Sequence, residues 1–307
     1  MSEKILITGI TGQIGSQVLR NLEGLVAPDA ELYLLQHTNP IEFDTNNHKG
    51  SVNIISNPEE VQVHYALHFA ANIHTKYSNQ PDRVADFVRD NVDLTRRVVK
   101  NAGWTVMLSS DNVFNGMKPN HHYTENETVS PCNGYGWTKA WAEDVVRERG
   151  AVVRIQSLFG VPKNLIADRI VSIIEGKVQE KLWSDQYLRP TYFPDLLHTM
   201  RKLVQTRNIG IYHVSCEGTT PSRAQIGEVI LEIYKRNKWS HTLDIIPTEL
   251  CSVPSFPRYL ALDTAQTRHE LGIQSFTPVN QAVEQHLLAL KRSLHNSEFT
   301  KEFQTSY

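Results

Sequence analysis

The stretch Lys4-Ile-Leu-Ile-Thr8, followed at once by Gly9-Ile-Thr-Gly12-Gln-Ile-Gly15, decides the fold of this 307-residue chain. The first five residues have the apolar character of a buried strand, and residues 16–25 have the spacing of an amphipathic helix. This order is typical of a dinucleotide pyrophosphate site. The first glycine permits the tight turn, the second lets phosphate approach the backbone, and the third allows close packing of the helix. The cofactor-binding residues predicted here are Gly9, Gly12, Gln13, Ile14 and Gly15.

Strand-like and helix-like segments alternate through the first half of the chain. The strand candidates are residues 31–36, 51–55, 65–69, 105–109 and 151–156, and the helix candidates include residues 83–101 and 135–149. This alternation predicts an α/β fold with a doubly wound parallel sheet of the Rossmann type, which binds ligands beyond the carboxyl ends of its strands. Gly9, Ala70-Ala71-Asn72 and Ser110-Asp111 follow three strand candidates, so we expect them at one edge of the sheet.

After about residue 160 the alternation loosens. Residues 166–175, 223–236 and 278–294 look helical, residues 210–215 look like a strand, and prolines at 190, 194, 221, 247, 254 and 257 interrupt the rest. We therefore expect an NAD(P)-binding Rossmann domain over residues 1–160. A smaller α/β substrate lobe is expected over residues 161–295, with some elements interleaved, and a polar tail over residues 296–307.

Composition restricts the classes of partner. The chain is 40% hydrophobic and 21% charged, has a net charge of −2 and has no basic run, so we expect no nucleic acid and no membrane surface as partner. No apolar run approaches the ~20 residues that span a bilayer. The first strand candidate begins at Lys4, so we expect no cleaved leader and a cytoplasmic protein. The cysteines, Cys132, Cys216 and Cys251, are widely spaced and the histidines lack ligand spacing, so we expect no metal.

The segment Tyr135-Gly136-Trp137-Thr138-Lys139 carries the candidate chemistry. A tyrosine and a lysine four residues apart share one face of a helix. An ordinary tyrosine titrates near ~10, and a nearby cation lowers that pKa toward the range in which acid–base catalysis is effective. The spacing alone is common on exposed helices. It gains weight here from the glycine turn upstream.

Further motifs carry a family resemblance. They are the glycine turn, His68-Phe-Ala-Ala71, Asn91, Ser130-Pro131 before Tyr135 and Lys139, Ser109-Ser110-Asp111-Asn112-Val113-Phe114, Ser184-Asp185-Gln186-Tyr187 leading to Pro190-Thr191, Leu262-Asp263 and Leu271-Gly272-Ile273. In these residues the chain resembles the extended short-chain dehydrogenase/reductases. Within them it is most similar to the dTDP-4-dehydrorhamnose reductase branch, over roughly residues 4–294, and the Asp-Gln-Tyr-x-x-Pro-Thr string is the most specific mark.

The resemblance implies a catalytic set. Tyr135 would donate a proton to the substrate carbonyl oxygen as hydride arrives from a nicotinamide, and Lys139 would lower the pKa of Tyr135 and bind the nicotinamide ribose. Ser110 would hold the reacting oxygen in line. Ala70 and Ala71, with Tyr135 and Lys139, would contact the cofactor.

The residues after Ser110 narrow the chemistry. Sugar-nucleotide 4,6-dehydratases resemble this segment but carry Asp-Glu where this chain has Asp111-Asn112, and an asparagine cannot serve as their base. The cysteine that the epimerase-reductases of GDP-fucose synthesis place after the serine pair is also missing. Simple ketone reduction is therefore expected. Asp111 and Asn112 are candidate substrate contacts, and a loop-orienting role for Asp111 stays open.

The second strand candidate bears on the choice of cofactor. It ends Leu35-Gln36-His37-Thr38, without the acidic residue that accepts from the ribose 2′-hydroxyl in NAD-preferring folds. Since no negative charge opposes a 2′-phosphate, we favour NADP over NAD and include His37 among the cofactor residues. The third strand candidate also lacks the aspartate that family members often direct at the adenine.

We therefore expect an NAD(P)H-dependent oxidoreductase that reduces a nucleotide-linked 4-keto-6-deoxy sugar in deoxysugar biosynthesis. Arg189 and Arg258 lie where the family grips the nucleotide diphosphate, and arginine suits bidentate phosphate contact. Two alternatives stay open: a nucleotide-sugar epimerase of the same fold, and a non-catalytic NADP-binding subunit like the regulatory subunit of methionine adenosyltransferase. Family members often pair through the helices equivalent to residues 83–101 and 135–149, so a homodimer is also expected.

Overall fold

The computed structural model describes residues 2–36, 48–161, 179–239, 244–249 and 257–295. Its strands are β1 Lys4–Thr8, β2 Glu31–Leu35, β3 Val52–Ile55, β4 Val63–His68, β5 Ala102–Ser110, β6 Gly150–Ile155, β7 Gln179–Trp183, β8 Gly210–Val214 and β9 Asp244–Thr248. Its helices are α1 Gln13–Leu19, α2 Val84–Val88, α3 Leu94–Lys100, α4 Gly134–Val146, α5 Phe193–Thr206, α6 Arg223–Arg236, α7 Ala265–Leu271 and α8 Val279–His295. None of the helices in these ranges is long and apolar enough to cross a membrane.

Seven strands form one sheet in the order β3-β2-β1-β4-β5-β6-β8, and every neighbouring pair is parallel. The first six positions have the Rossmann order, which confirms the predicted fold. β1 shows why its sequence is apolar throughout. Ile5 and Ile7 belong to one hydrophobic cluster and Leu6 to another, because successive side chains of a strand point to opposite faces and both faces of this sheet are covered.

The seventh strand comes from the second half of the chain. β8 lies beyond the expected boundary at residue 160, yet it pairs with β6 from Ala151↔Gly210 to Ile155↔Val214. Residues 179–183 and 244–248 form a separate two-stranded parallel sheet, β7 with β9, against which α6 packs. Neither of these two strands was predicted from the sequence.

Helix α5 corrects one expectation. We took Pro194 as an interruption, but it lies in the first turn of α5. The missing N–H of a proline costs nothing there, since the first amides of a helix have no intrahelical acceptor. α1 is shorter than predicted and ends at Leu19, where the Asn21 side chain donates to the Gln17 carbonyl at 2.8 Å. The helix predicted over residues 166–175 lies outside the described residues.

The helix predicted over residues 83–101 is present but not uniform. α2 and α3 are joined by a wide π-helical turn over Arg89–Asp93, and this turn contains the buried Asn91. Such turns redirect side chains within an otherwise regular helix and are frequent at functional sites.

The carboxyl ends of β1, β4 and β5 are neighbours in the sheet because these strands are adjacent. Gly9 and Ala70-Ala71-Asn72 follow the first two of these ends, and Ser110-Asp111 contains the last residue of β5 and the residue after it. The predicted convergence of three chain segments on one sheet edge is therefore confirmed.

Candidate active site

The glycine turn packs tightly on the segment that follows β4. Gly9 has φ +70°, and a Cβ atom there would lie 2.5 Å from the backbone nitrogen of Ala70. A Cβ atom on Gly15 would lie 2.2 Å from the carbonyl oxygen of Gly9. Only glycine fits at these two positions, the first because of both its backbone conformation and its contact, the second because of its contact.

A cavity of about 470 Å³ opens beside this turn. Gly9, Gly12, Ala70 and Ala71 line it, as does Gln36 at the end of β2. The cavity thus runs along the sheet edge from the glycine turn toward the outer strands β2 and β3, which is where a Rossmann sheet binds one nucleotide half of a dinucleotide. Among the other cofactor candidates, Gln13 begins α1 and Ile14 packs against the core. His37 lies outside the described residues.

A buried histidine precedes the segment that lines this cavity. His68 Nδ1 lies 2.7 Å from Thr8 Oγ1 and His68 Nε2 lies 2.9 Å from Thr95 Oγ1. Thr8 Oγ1 also accepts from the Ala70 amide at 3.2 Å. Burial lowers the pKa of His68 to about 3, so the ring is neutral and acts as a spacer between β1, β4 and α3.

Asn91 connects the cavity wall to helix α4. Its Oδ1 accepts from the Asn72 amide at 2.6 Å, and its Nδ2 donates to the Asn72 carbonyl at 3.1 Å and to Thr138 Oγ1 at 2.9 Å. Thr138 precedes Lys139 on α4. Asn91 is one of the residues that carry the family resemblance. Its position between Asn72 and Thr138 depends on the π-helical turn, and no spacing rule predicts that turn.

The three predicted catalytic residues come together and are all buried. Tyr135 and Lys139 lie one turn apart on α4, whose first turn is capped by Asn133 Oδ1 accepting from the Gly136 amide at 2.8 Å. Ser110, the last residue of β5, hydrogen-bonds the Tyr135 phenol. The Lys139 ammonium donates to the Leu108 carbonyl of β5 at 2.7 Å. Strand β5 thus carries the partners of both helix residues.

The pKa of Tyr135 shifts in the opposite direction to the sequence expectation. Burial raises the pKa of the phenol and the charge of Asp111 adds to the rise, while the Ser110 hydrogen bond opposes it. Desolvation outweighs the help expected from Lys139 because the phenolate would be buried. The result is a phenol that stays protonated, which is the form that a proton donor needs. Burial lowers the pKa of Lys139 to about 8, against the opposing charge of Glu143.

Asp111 and Asn112 hold the Ser110 hydroxyl. Ser110 Oγ donates to Asp111 Oδ1 at 2.9 Å, and Asn112 Nδ2 donates to Ser110 Oγ at 3.2 Å and to Asp111 Oδ1 at 3.0 Å. Burial raises the pKa of Asp111, although hydrogen bonds from Ser110, Gln156 and Asn112 oppose this. Both residues therefore have the contacts of groups that orient Ser110.

The two predicted substrate arginines differ in their surroundings. The Arg189 amide donates to Gln156 Oε1 at 2.6 Å, and Gln156 also bonds Asp111, so a single side chain links Arg189 to the catalytic segment. The Arg189 Nη2 atom donates to the Gly218 carbonyl, and its buried Nε has no hydrogen-bond partner among the described residues. Arg258 is 42% exposed and pairs with Asp185 at 3.4 Å.

Arg223 was not among the residues predicted from the sequence. It is the first residue of α6, it lies near enough to Asp111 for its charge to lower that pKa, and its Nε donates to Gln186 Oε1. Its guanidinium stands 5.4 Å from the centre of the Trp183 ring. The capping pattern Ser222-x-x-Gln225 predicts a helix start here. Nothing local to residue 223 predicts its approach to Asp111.

The sequence over residues 3–291 matches the model of the RmlD substrate binding domain family. The chain belongs to this family. Methionine adenosyltransferase 2 subunit beta of Rattus norvegicus is 27% identical over 235 residues, which are 70% of this chain and 67% of that protein. The dTDP-4-dehydrorhamnose reductase of Burkholderia thailandensis is 24% identical over 233 residues, 71% of this chain and 74% of that protein.

A solved structure shares the whole fold of this family member. The dTDP-4-dehydrorhamnose reductase of Bacillus anthracis, crystallised in complex with NADP, superposes with a TM-score of 0.74 and 22% identity. The match covers 94% of this chain and 100% of that one. No group of three or more histidine, cysteine or acidic side chains within the described ranges is placed to hold a metal ion.

Proposed function

We propose that this protein is an NAD(P)H-dependent reductase of a nucleotide-linked 4-keto-6-deoxy sugar. The observation that carries the proposal is the buried set of Ser110, Tyr135 and Lys139, which lies at the same sheet edge as the cavity beside the glycine turn. The relatives add support, because a protein similar over 71% of this chain is named a dTDP-4-dehydrorhamnose reductase.

In the proposed reaction the phenol of Tyr135 gives its proton to the carbonyl oxygen of the substrate. Ser110 turns its hydroxyl proton from Asp111 Oδ1 to the same oxygen when the substrate binds, and so holds that oxygen in line. Lys139 keeps a positive charge one helical turn away, which stabilises the phenolate that forms as the proton leaves. The nicotinamide, when bound, supplies the hydride that reduces the carbonyl carbon.

The cofactor would lie along the cavity beside Gly9, Gly12, Ala70 and Ala71. The close packing at Gly9 and Gly15 supports this assignment, since a Cβ atom would clash at either position. Glycines in such a turn let a phosphate approach the backbone amides. We favour NADP, since Gln36 at the end of β2 places no negative charge against a 2′-phosphate.

The substrate would be held by arginines of the second half of the chain. The backbone amide of Arg189 is linked to Asp111 through Gln156, and the charge of Arg223 acts on Asp111. The guanidinium of Arg189 lies at the Gly218 carbonyl, and Arg258 lies on the more exposed side at Asp185. Guanidinium groups suit the diphosphate of a nucleotide sugar, which is the one strongly charged part of such a substrate.

The decisive experiment follows the oxidation of NADPH and NADH by the purified protein with a panel of nucleotide 4-keto-6-deoxy sugars. We expect turnover with at least one sugar and a preference for NADPH. The Tyr135→Phe variant serves as the matched blank, because it keeps the cavity and loses the proton donor. Absence of turnover with every sugar, while NADPH still binds, would contradict the proposal.

Two other functions give different results in the same experiment. An epimerase of this fold would retain NAD through purification, and would interconvert sugar isomers without net oxidation of NADPH. A non-catalytic subunit is favoured by the 27% identity with methionine adenosyltransferase 2 subunit beta. It would form a stable complex with a second enzyme and reduce no ketone.

We also propose that two copies of the chain pair through α4. Trp137 and Trp141 lie one turn apart on this helix, are 46% and 45% exposed, and have ring centres 6.3 Å apart. Val84 of the neighbouring α2 is also exposed. An apolar patch of this kind on a helix suits a symmetric interface. Sedimentation should give a dimer for the native chain and a monomer for Trp137→Glu/Trp141→Glu; an unchanged mass would exclude this interface.

A further inference from the structure

A buried ion pair lies one turn beyond Lys139 on α4. Glu143 and Arg154 are each 1% exposed, and Arg154 of β6 reaches both carboxylate oxygens, with Nε–Oε1 at 3.0 Å and Nη2–Oε2 at 2.7 Å. Ser109 Oγ donates to the same carboxylate at 2.5 Å. Burying two charges costs desolvation energy, so this pair is weak evidence for a purely stabilising role, and we ask what it does for the neighbouring active site.

The attachments of α4 to β5 explain why this pair matters at the active site. Lys139 is held by the carbonyl of Leu108, and Glu143 is held by the hydroxyl of the next residue, Ser109. Two residues that face the same side of the helix are thereby fixed to two consecutive residues of one strand. Tyr135, Lys139 and Glu143 consequently form one stripe along α4, with steps of four residues.

Two groups interact with the Lys139 ammonium by charge: Glu143, one turn further along α4, and His68 on β4. Of the other charged and titratable groups in this region, Tyr135 lies one turn before Lys139, Asp111 acts on Tyr135, and Arg154 of β6 binds Glu143. His68 is neutral because of its burial. The carboxylate on the stripe is therefore the group best placed to compensate the buried ammonium.

We propose that Glu143, fixed by Arg154 and Ser109, is a positioning residue that keeps the buried Lys139 charged and in register with Tyr135. The inference rests on the proposed function for its catalytic meaning. The pKa of Lys139, lowered by burial to about 8 against the opposing charge of Glu143, agrees with it. Lys139 acts through its positive charge. Without the Glu143 carboxylate, Lys139 should lose its proton at a lower pH than in the native chain, and activity should be lost at that lower pH.

The test is the pKa of Lys139 in the native chain and in Glu143→Gln, an isosteric neutral variant. Protein labelled with ¹³C at the lysine ε-carbon reports each ammonium separately, and Lys139→Arg assigns the signal. We expect Glu143→Gln to lower the pKa of Lys139 by about 1 unit, the usual size for loss of one close opposite charge. The alkaline limb of kcat for sugar reduction should move to lower pH by the same amount.

Glu125→Gln is the matched control. Glu125 is also buried, and its backbone carbonyl accepts from Arg154 Nη1 at 3.3 Å, but its carboxylate bonds Thr267 on α7 instead of facing the stripe. The Lys139 signal should titrate as in the native chain. A signal that titrates unchanged in Glu143→Gln, or that shifts equally in both variants, overturns the proposal.

Glu143→Gln leaves Arg154 buried without its partner, which can prevent folding. The double variant Glu143→Gln/Arg154→Gln leaves no unpaired charge, but it removes the Arg154 cation together with the carboxylate. The pKa of Lys139 should therefore fall by less than in Glu143→Gln. A pKa above the native value in the folded double variant counts against the proposal, because it would show that the charge of Arg154 outweighs that of Glu143 at Lys139. The NMR titration needs no substrate, so a shifted pKa in an enzyme that reduces no sugar would reject the proposed function and leave the link between Glu143 and Lys139 standing.

Discussion

The cofactor edge, formed by the glycine turn and α4, and the substrate side, formed by the residues around Asp111, differ in how far the sequence predicts their geometry. At the cofactor edge, Gly9, Gly15, Tyr135 and Lys139 belong to two short motifs whose internal spacing carries the geometry. On the substrate side, Asp111 is approached by Gln156, which holds Arg189, and by Arg223. These groups come from four separate parts of the chain. Spacing rules therefore apply to the first region, whereas the second is set by how the elements pack.

The largest expected effect is that of Tyr135→Phe, which tests the cofactor edge. Tyr135→Phe removes the proton donor and keeps the ring that fills its buried position, so kcat should fall by about 10²–10⁴-fold with NADPH affinity retained. Turnover in the steady state and NADPH binding by fluorescence measure the two quantities. Tyr234→Phe, which removes a hydroxyl from another buried tyrosine on α6, should keep native turnover. Comparable kcat for native protein and Tyr135→Phe would remove Tyr135 from the mechanism.

The next effect concerns the turn that forms the cofactor cavity. Gly9 and Gly272 both have positive φ, +70° and +61°, but an added Cβ meets Ala70 at 2.5 Å in the first case and nothing within 4 Å in the second. Each alanine substitution costs about 1 kcal/mol for its backbone conformation. Gly9→Ala adds a clash of about 1–3 kcal/mol at the cavity wall. NADPH affinity should fall at least about tenfold in Gly9→Ala and stay native in Gly272→Ala.

Both variants need an unfolding measurement beside the binding measurement. Gly9→Ala should lose more stability than Gly272→Ala, because only the first has to move backbone atoms. Equal loss of stability and equal NADPH affinity in the two variants would show that the close packing of Gly9 on Ala70 is not what shapes the cavity.

The difference between the cofactor edge and the substrate side also explains which features could be predicted from the sequence. The parallel sheet, the glycine turn and the placement of Tyr135 and Lys139 on one face of α4 follow from apolar runs and i,i+4 spacing, and the structure reproduces them. The first-turn proline of α5 and the π-helical turn around Asn91 were missed, since both depend on where a helix begins or widens. The direction of the Tyr135 pKa shift was wrong because burial cannot be read from the spacing of two residues.

A substitution of Arg223 tests the substrate side, whose geometry the sequence does not predict. Arg223 lies in the first turn of α6, near enough to Asp111 for its charge to lower that pKa, whereas Arg236 at the other end of the same helix is 61% exposed and pairs with Glu284. Arg223→Gln should raise the KM for the nucleotide sugar by about tenfold or more, because a charged hydrogen bond to phosphate contributes about 1.5–3 kcal/mol. Its NADPH affinity should stay native, since Arg223 is not among the residues that line the cavity.

Arg236→Gln removes the same charge from the same helix and should leave the KM for the sugar unchanged. A matching rise in KM for both variants would mean that net charge, and not the position of Arg223, attracts the substrate. An unchanged KM in Arg223→Gln together with a rise in Arg258→Gln would move the diphosphate to the exposed side at Asp185. In that case the family motifs would have located the substrate side better than the packing around Asp111 does.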